Sequence, residues 1–224
     1  MSRSTLRPLR EGRLIADRAF DEMYPKWART LSGTHFTPVD VAVRAARWLT
    51  GEADDIGDMP TTTNDARPVR VLDVGAGVGK FCLVGALATR GAFTGVELRP
   101  RLAAVATEMA RRQSIKRCSF VAGDAFALDW NDFDAFYLFN PFAEFLPECP
   151  FIDNEIDRTA EQYHRYVSAV ETRLEALAEG TRLVTYHGFG GRMPFGWNPI
   201  TSLRMHAGSL ALWRKVRPPE MTRR

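Results

Sequence analysis

The sequence predicts an α/β fold: a doubly wound, mostly parallel seven-stranded sheet with a C-terminal antiparallel hairpin, behind an N-terminal helical extension. Three observations predict it. Short β-branched or apolar runs alternate with longer helical patterns over residues 69–187. A glycine cluster, Gly75-Ala76-Gly77-Val78-Gly79, directly follows the first of those runs. Two further runs near the C-terminus flank Ala207-Gly208, which marks a hairpin.

The elements follow in order. In residues 1–30, Leu14, Ile15, Ala19, Phe20, Met23 and Trp27 recur at three- and four-residue steps and predict one or two short amphipathic helices. The same segment holds seven bases, Arg3 to Arg29, against four acids; they read as a solvated helix face or as phosphate contacts. Thr37-Pro38 opens a second helical pattern through Val39, Val43, Ala46 and Leu49. Residues 51–68 are polar, carry Gly and Pro, and read as a linker between an extension at 1–50 and a core at 69–224. In the core, strands are expected at 69–74, 91–97, 118–122, 133–139 and 181–186, with 201–206 and 209–216 as the hairpin. Helices are expected at 80–90, 100–113 and 157–179. A parallel sheet with right-handed crossovers follows, and the hairpin supplies a mixed edge.

With 224 residues, 45% apolar and 25% charged, the chain has the make-up of a globular domain rather than a disordered one. A net charge of +3 does not single out a nucleic-acid binder. Cys82, Cys118 and Cys149 form no C-x-x-C pair and read as small core residues in a reducing, cytoplasmic setting. No apolar run is long enough to span a bilayer, and no secretory signal is expected. His35, His164, His187 and His206 show no metal-ligand spacing, so no metal is expected.

The glycine cluster is the first feature that carries chemistry. Glycine is needed where backbone turns sharply or approaches a ligand, and open α/β sheets bind ligands beyond the C-terminal ends of their strands. The form here is D-x-G-x-G-x-G, with Asp73 two residues before Gly75; a dinucleotide fingerprint would want glycine where Lys80 stands. Glu97 ends the second strand, and a carboxylate there can accept both hydroxyls of a ribose. Gly123-Asp124-Ala125 ends the third, where an acid can accept from an adenine amino group. Together these features point to a nucleoside-bearing cofactor.

Residues 69–142 resemble the core of class I S-adenosylmethionine-dependent methyltransferases, through VLDVGAGVGK, TGVEL, AGDA and FNPF. The resemblance implies S-adenosyl-L-methionine as cofactor. It also assigns the methionine part to Asp73, Gly75, Gly77 and Gly79, the ribose to Glu97, and the adenine to Asp124 beside Ala125. His35-Phe36-Thr37-Pro38 is similar to an F-T-P element of amino-directed nucleic-acid methyltransferases and of nucleosomal histone-lysine methyltransferases. There it closes over the cofactor, so Thr37 is either a contact to the cofactor carboxylate or a helix N-cap.

Asn140-Pro141-Phe142 resembles the N-P-P-[YF] motif of enzymes that methylate exocyclic or amide nitrogens, with one proline missing and Ala143 following. The resemblance implies that Asn140 and Pro141 orient the acceptor nitrogen and that Phe142 stacks on it. The alternative is an ordinary strand-end turn. Residues 140–165 carry six acids among Phe142, Phe145 and Phe151, which read either as a rim that attracts amines or as a solvated lid. His187, in the glycine-rich run after the fifth strand, is either a base for an ammonium acceptor or a packed strand-end residue.

The expectation is therefore methyl transfer to a nitrogen, with an amine or protein lysine favoured over nucleic acid. The chain is not expected to bind a membrane. A nicotinamide-dependent oxidoreductase and a non-catalytic cofactor-binding module are the other readings.

Overall fold

The computed structural model describes residues 3–52 and 67–217. Residues 53–66 of the expected linker lie outside the described residues, as do 1–2 and 218–224. The strands are β1 (Arg70–Val74), β2 (Ala92–Glu97), β3 (Cys118–Ala122), β4 (Ala135–Leu138), β5 (Arg182–Tyr186), β6 (Trp197–Met205) and β7 (Gly208–Lys215). They form one sheet in the order β3-β2-β1-β4-β5-β7-β6. β1 to β5 are parallel, and β7 runs antiparallel between β5 and β6.

Alternate side chains of the central strands enter two different cores. Val71, Ala135, Tyr137 and Val184 face one core, shared with α5 (Val39–Thr50), α6 (Lys80–Ala88) and α7 (Pro100–Arg112). Leu72, Phe136, Leu138 and Leu183 face the other, shared with α8 (Ala160–Ala176). Burial on both faces is why these strands read as nearly continuous apolar runs. Between β3 and β4 the chain makes short 3-10 turns, and Trp130, 1% exposed, stacks on Phe136 at 4.9 Å.

Three details depart from the sequence reading. The hairpin begins at Trp197, not 201, because β6 is the outer edge strand, where Pro199 needs no ladder partner for its missing N–H. A register shift between Pro199 and Thr201 absorbs the irregularity, and the turn falls at His206-Ala207. The N-terminal extension is broken into α1 (Arg7–Arg10), α2 (Asp17–Asp21), α3 (Lys26–Arg29) and α4 (Ser32–His35), interrupted by left-handed Gly12 and by Pro25. Leu14, expected on the apolar face, is 57% exposed, whereas Leu6, Leu9, Phe20 and Ala28 are buried. Finally, Thr37 does not cap α5. Pro38 occupies that position, and the Val39 N–H donates instead to Asp17 Oδ1 at 2.9 Å.

Asp17 shows how the extension is held. Lys80, the first residue of α6 and 3% exposed, pairs with Asp17 at 2.6 Å and with the buried Asp21 at 2.8 Å. Ser32 also donates to Asp21. Trp27 of α3 receives the Arg101 guanidinium over its ring at 3.7 Å. The extension therefore bridges the starts of α6 and α7, the two helices that follow β1 and β2.

Removing one partner of a buried ion pair strands the other. Lys80→Met is expected to lower the unfolding free energy by about 3 kcal/mol or more in urea denaturation. Arg7→Ala breaks only the exposed pair with Glu11 and should leave the transition unchanged.

Candidate active site

β1, β2, β4 and β5 end on one edge, and the site is built there. After Val74 the chain enters the left-handed region at Gly75, Gly77 and Gly79, with φ of +76°, +55° and +79°. A side chain on Gly79 would lie 2.4 Å from the Phe120 ring and 2.8 Å from Ala106 Cβ, so glycine there lets α6 pack closely. Nothing lies within 4 Å of where a side chain on Gly77 would point, so that backbone is open to a ligand.

Glu97, at the end of β2 and 6% exposed, faces this loop. One carboxylate oxygen accepts from the Gly77 N–H at 2.9 Å, the other from the Arg99 N–H at 3.0 Å. Burial raises its pKa, against the two amides.

A cavity of ≈ 290 Å³ opens here. Gly75, Gly77 and Glu97 line it together with Asn140, Pro141 and His187, and Pro141 lies close against Gly75. Thr34, His35 and Phe36 of the extension close another side. Asn140 holds a left-handed conformation, φ +37°, with its N–H donating to Gly188 O at 3.0 Å. Asparagine tolerates that region better than most residues. His187 is also left-handed, φ +58°, and its ring stacks with Phe139 at 5.6 Å. A side chain on Gly208 would collide with that ring, so the hairpin start makes room for it. Burial pulls the pKa of His187 below the usual value, and that of His35 likewise.

Other residues singled out from the sequence lie off the cavity wall. Asp73 is buried behind the loop, where the Cys82 thiol donates to it at 3.4 Å; burial raises its pKa to about 7. Thr37 is buried, and its hydroxyl bonds the Tyr137 hydroxyl at 3.1 Å. Asp124 accepts from the Phe126 N–H at 2.9 Å and the Tyr166 hydroxyl at 3.4 Å, and Ala125 is buried beside it. Phe142 is not presented to an acceptor. The chain turns at once into a 3-10 turn at Ala143–Phe145, and the ring is drawn inward, stacked on Tyr166 at 5.1 Å and 4% exposed.

Two of the six acids expected at the rim are not free charges. Glu144 and Asp153 both pair with the buried Arg99, so their charge is committed internally. Phe145 is core, and the exposed Phe151 carries Arg158 over its ring. Among the described residues, no group of three or more His, Cys, Asp or Glu is placed to hold a metal ion.

A family model described as a methyltransferase domain matches residues 66–179. The chain belongs to this methyltransferase family. Three solved structures share the fold. An RNA methyltransferase from Salinibacter ruber, in complex with S-adenosyl-L-homocysteine, is 20% identical with a TM-score of 0.56, covering 82% of this chain and 96% of that one. A mutant of MtNAS in complex with S-adenosylmethionine is 12% identical with a TM-score of 0.53, covering 96% and 71%. TrmN from Thermus thermophilus is 18% identical with a TM-score of 0.52, covering 80% and 52%. No curated protein sequence matches the chain.

S-adenosyl-L-methionine is the methyl donor that the family assignment and the sequence motifs together imply. The cavity fits that group: Gly77 leaves the loop open on the ligand side, and a buried carboxylate stands next to it. Glu97 would hold the ribose and the Gly75–Gly77 backbone the methionine part. Sequence reading missed His35 as a wall residue, although His35-Phe36 belong to the F-T-P element. It missed Arg99 and Lys80 because an isolated base ordinarily signals surface.

Two outcomes test this methyltransferase site. Gly77→Ala should cost about 1 kcal/mol of stability from its positive φ, yet abolish S-adenosylmethionine binding in calorimetry. Gly79→Ala should destabilise by about 2–4 kcal/mol, adding overpacking to the same strain. The second outcome concerns pH. In the fold Asp73 keeps its proton up to about pH 7, whereas its ordinary value is 3.8. The resulting stabilisation is full below the lower value and lost as pH rises through the upper one. Asp73→Asn should flatten the decline of stability across that interval in urea denaturation; an unchanged slope would contradict a neutral buried carboxyl.

Proposed function

We propose that this methyltransferase acts on a nitrogen, and that its acceptor is an amine, either a protein lysine or a small amine. The observation that carries the reading is the position of Asn140 and Pro141, on the same cavity as Gly77 and Glu97. The Asn140 side-chain oxygen can accept N–H bonds from the acceptor, which orients the nitrogen lone pair. Pro141 packs against Gly75, so the acceptor turn and the donor loop hold one relative position. Alignment of this kind supplies several kcal/mol of the barrier reduction.

Bound in the cavity, S-adenosylmethionine supplies an electrophilic methyl carbon, and its sulfonium charge disperses on transfer. The protein therefore has no anion to stabilise. What it must still do is present an uncharged nitrogen. We assign that step to His187, which lines the same cavity and can take the proton of an ammonium acceptor.

Among the described residues that line the cavity, none is lysine or arginine. A wall without cations gives no grip on phosphate, and its acids Glu97 and Glu144 suit an amine. This supports an amine over a nucleic-acid nitrogen, even though one structure of similar fold is an RNA methyltransferase.

The test is transfer of tritiated methyl from S-adenosylmethionine into fractionated cell extract. Label is expected in protein or in small amines; label in nucleic acid would overturn the acceptor assignment. Asn140→Ala should lower transfer by about 100-fold or more while keeping donor affinity. Activity should fall as pH drops through the lowered pKa of His187, and His187→Gln should remove that acid limb.

A further inference from the structure

The largest buried charge next to the cavity plays no part in the mechanism above. Arg99 is the residue just before α7, at its N-cap position, and its side chain is 1% exposed. A desolvated guanidinium persists only when its donors are satisfied by carboxylates. Here Nη1 and Nη2 donate to the two oxygens of Glu144 at 2.8 and 2.7 Å, a bidentate pair. Nε donates to Asp153 at 2.7 Å. Nη1 also lies 3.8 Å from Glu97, whose same oxygen accepts the Arg99 main-chain N–H. Burial pulls the guanidinium pKa down, but Glu144 and Asp153 outweigh it and the pKa rises.

These partners belong to different parts of the site. Glu97 is on the donor side. Glu144 lies in the 3-10 turn that follows Asn140-Pro141. Asp153 ends the segment whose Cys149, Pro150 and Ile152 line the cavity. One guanidinium therefore touches the ribose-side acid and both ends of the loop on the acceptor side.

We propose that Arg99 is a positioning residue that couples donor binding at Glu97 to the order of the 143–153 segment. Glu97 is aimed by the Arg99 main chain, while the Arg99 side chain ties down the segment. Occupancy of one side thereby stabilises the other, and the linkage is reciprocal. The proposal rests on S-adenosylmethionine occupying this cavity.

The experiment measures S-adenosylmethionine and S-adenosylhomocysteine affinity by calorimetry, together with amide hydrogen exchange over 143–153. The proteins are the wild type, Arg99→Gln, Arg99→Lys, Asp153→Asn and the double variant Arg99→Gln/Asp153→Asn. Arg99→Gln should weaken both nucleosides by about tenfold or more, the scale for removing a partner behind a ligand-contacting group. Arg99→Lys should recover part of the loss. The double variant should bind no more weakly than Arg99→Gln alone, because both changes remove one linkage. S-adenosylhomocysteine should slow exchange over 143–153 in the wild type and not in Arg99→Gln.

Wild-type affinity in a folded Arg99→Gln, or losses that add in the double variant, would overturn the coupling. If Arg99→Gln does not fold, Asp153→Asn decides: unchanged affinity and an unchanged exchange response overturn it. A wild type that binds neither nucleoside contradicts the donor assignment itself, which is a different failure.

Discussion

The structure depends on the contact between the Gly77 amide and the Glu97 carboxylate. β1 and β2 are parallel neighbours with Val74 beside Val96, so their ends emerge side by side. The chain leaving β1 must turn back into α6 within a few residues, and it passes through left-handed geometry at three glycines. The chain leaving β2 stops at a carboxylate that the turn itself satisfies. A buried acid next to an unobstructed backbone is costly to maintain, and it is useful when a ligand brings hydroxyl donors to it.

Buried charge around that contact is handled in three ways. Asp73 is pushed toward its neutral form, because burial outweighs the thiol that donates to it. Lys80 stays in the core because Asp17 and Asp21 come to it from the extension. Arg99 stays because two acids of the 143–153 loop come to it. The last two arrangements use a buried base of the core to fasten a peripheral segment, one on each side of the cavity. The walls contributed by His35 and by the 143–153 loop are thus fixed to the sheet by ionic contacts as well as by apolar packing.

The sheet was legible because both faces of β1, β4 and β5 are buried, which yields short apolar runs at regular spacing. The glycine turn was legible because Gly75 and Gly77 take positive φ, and Glu97 was legible as the residue that ends β2 beside it. Other positions were not legible for physical reasons. Phe142 looked like a ring that stacks on the acceptor, but a 3-10 turn and the neighbouring rings of Tyr166 and Phe126 draw it inward. Thr37 was open between a cofactor contact and a cap, and the cap fails because a distant carboxylate, Asp17, takes the Val39 amide. Glu144 and Asp153 looked like free rim charges, since their partner is distant in sequence and an arginine gives no sign of burial. Each error concerns where a polar group finds its partner, which a linear pattern does not encode.

The central claim is that the glycine turn, Glu97 and Asn140 surround one adenosyl sulfonium site. The most direct measurement is a crystal structure of the protein grown with S-adenosyl-L-homocysteine. The account predicts ribose hydroxyls within hydrogen-bonding distance of Glu97 and the sulfur facing the Asn140-Pro141 turn. A nucleoside bound elsewhere, or a Glu97 carboxylate turned away from it, would contradict it.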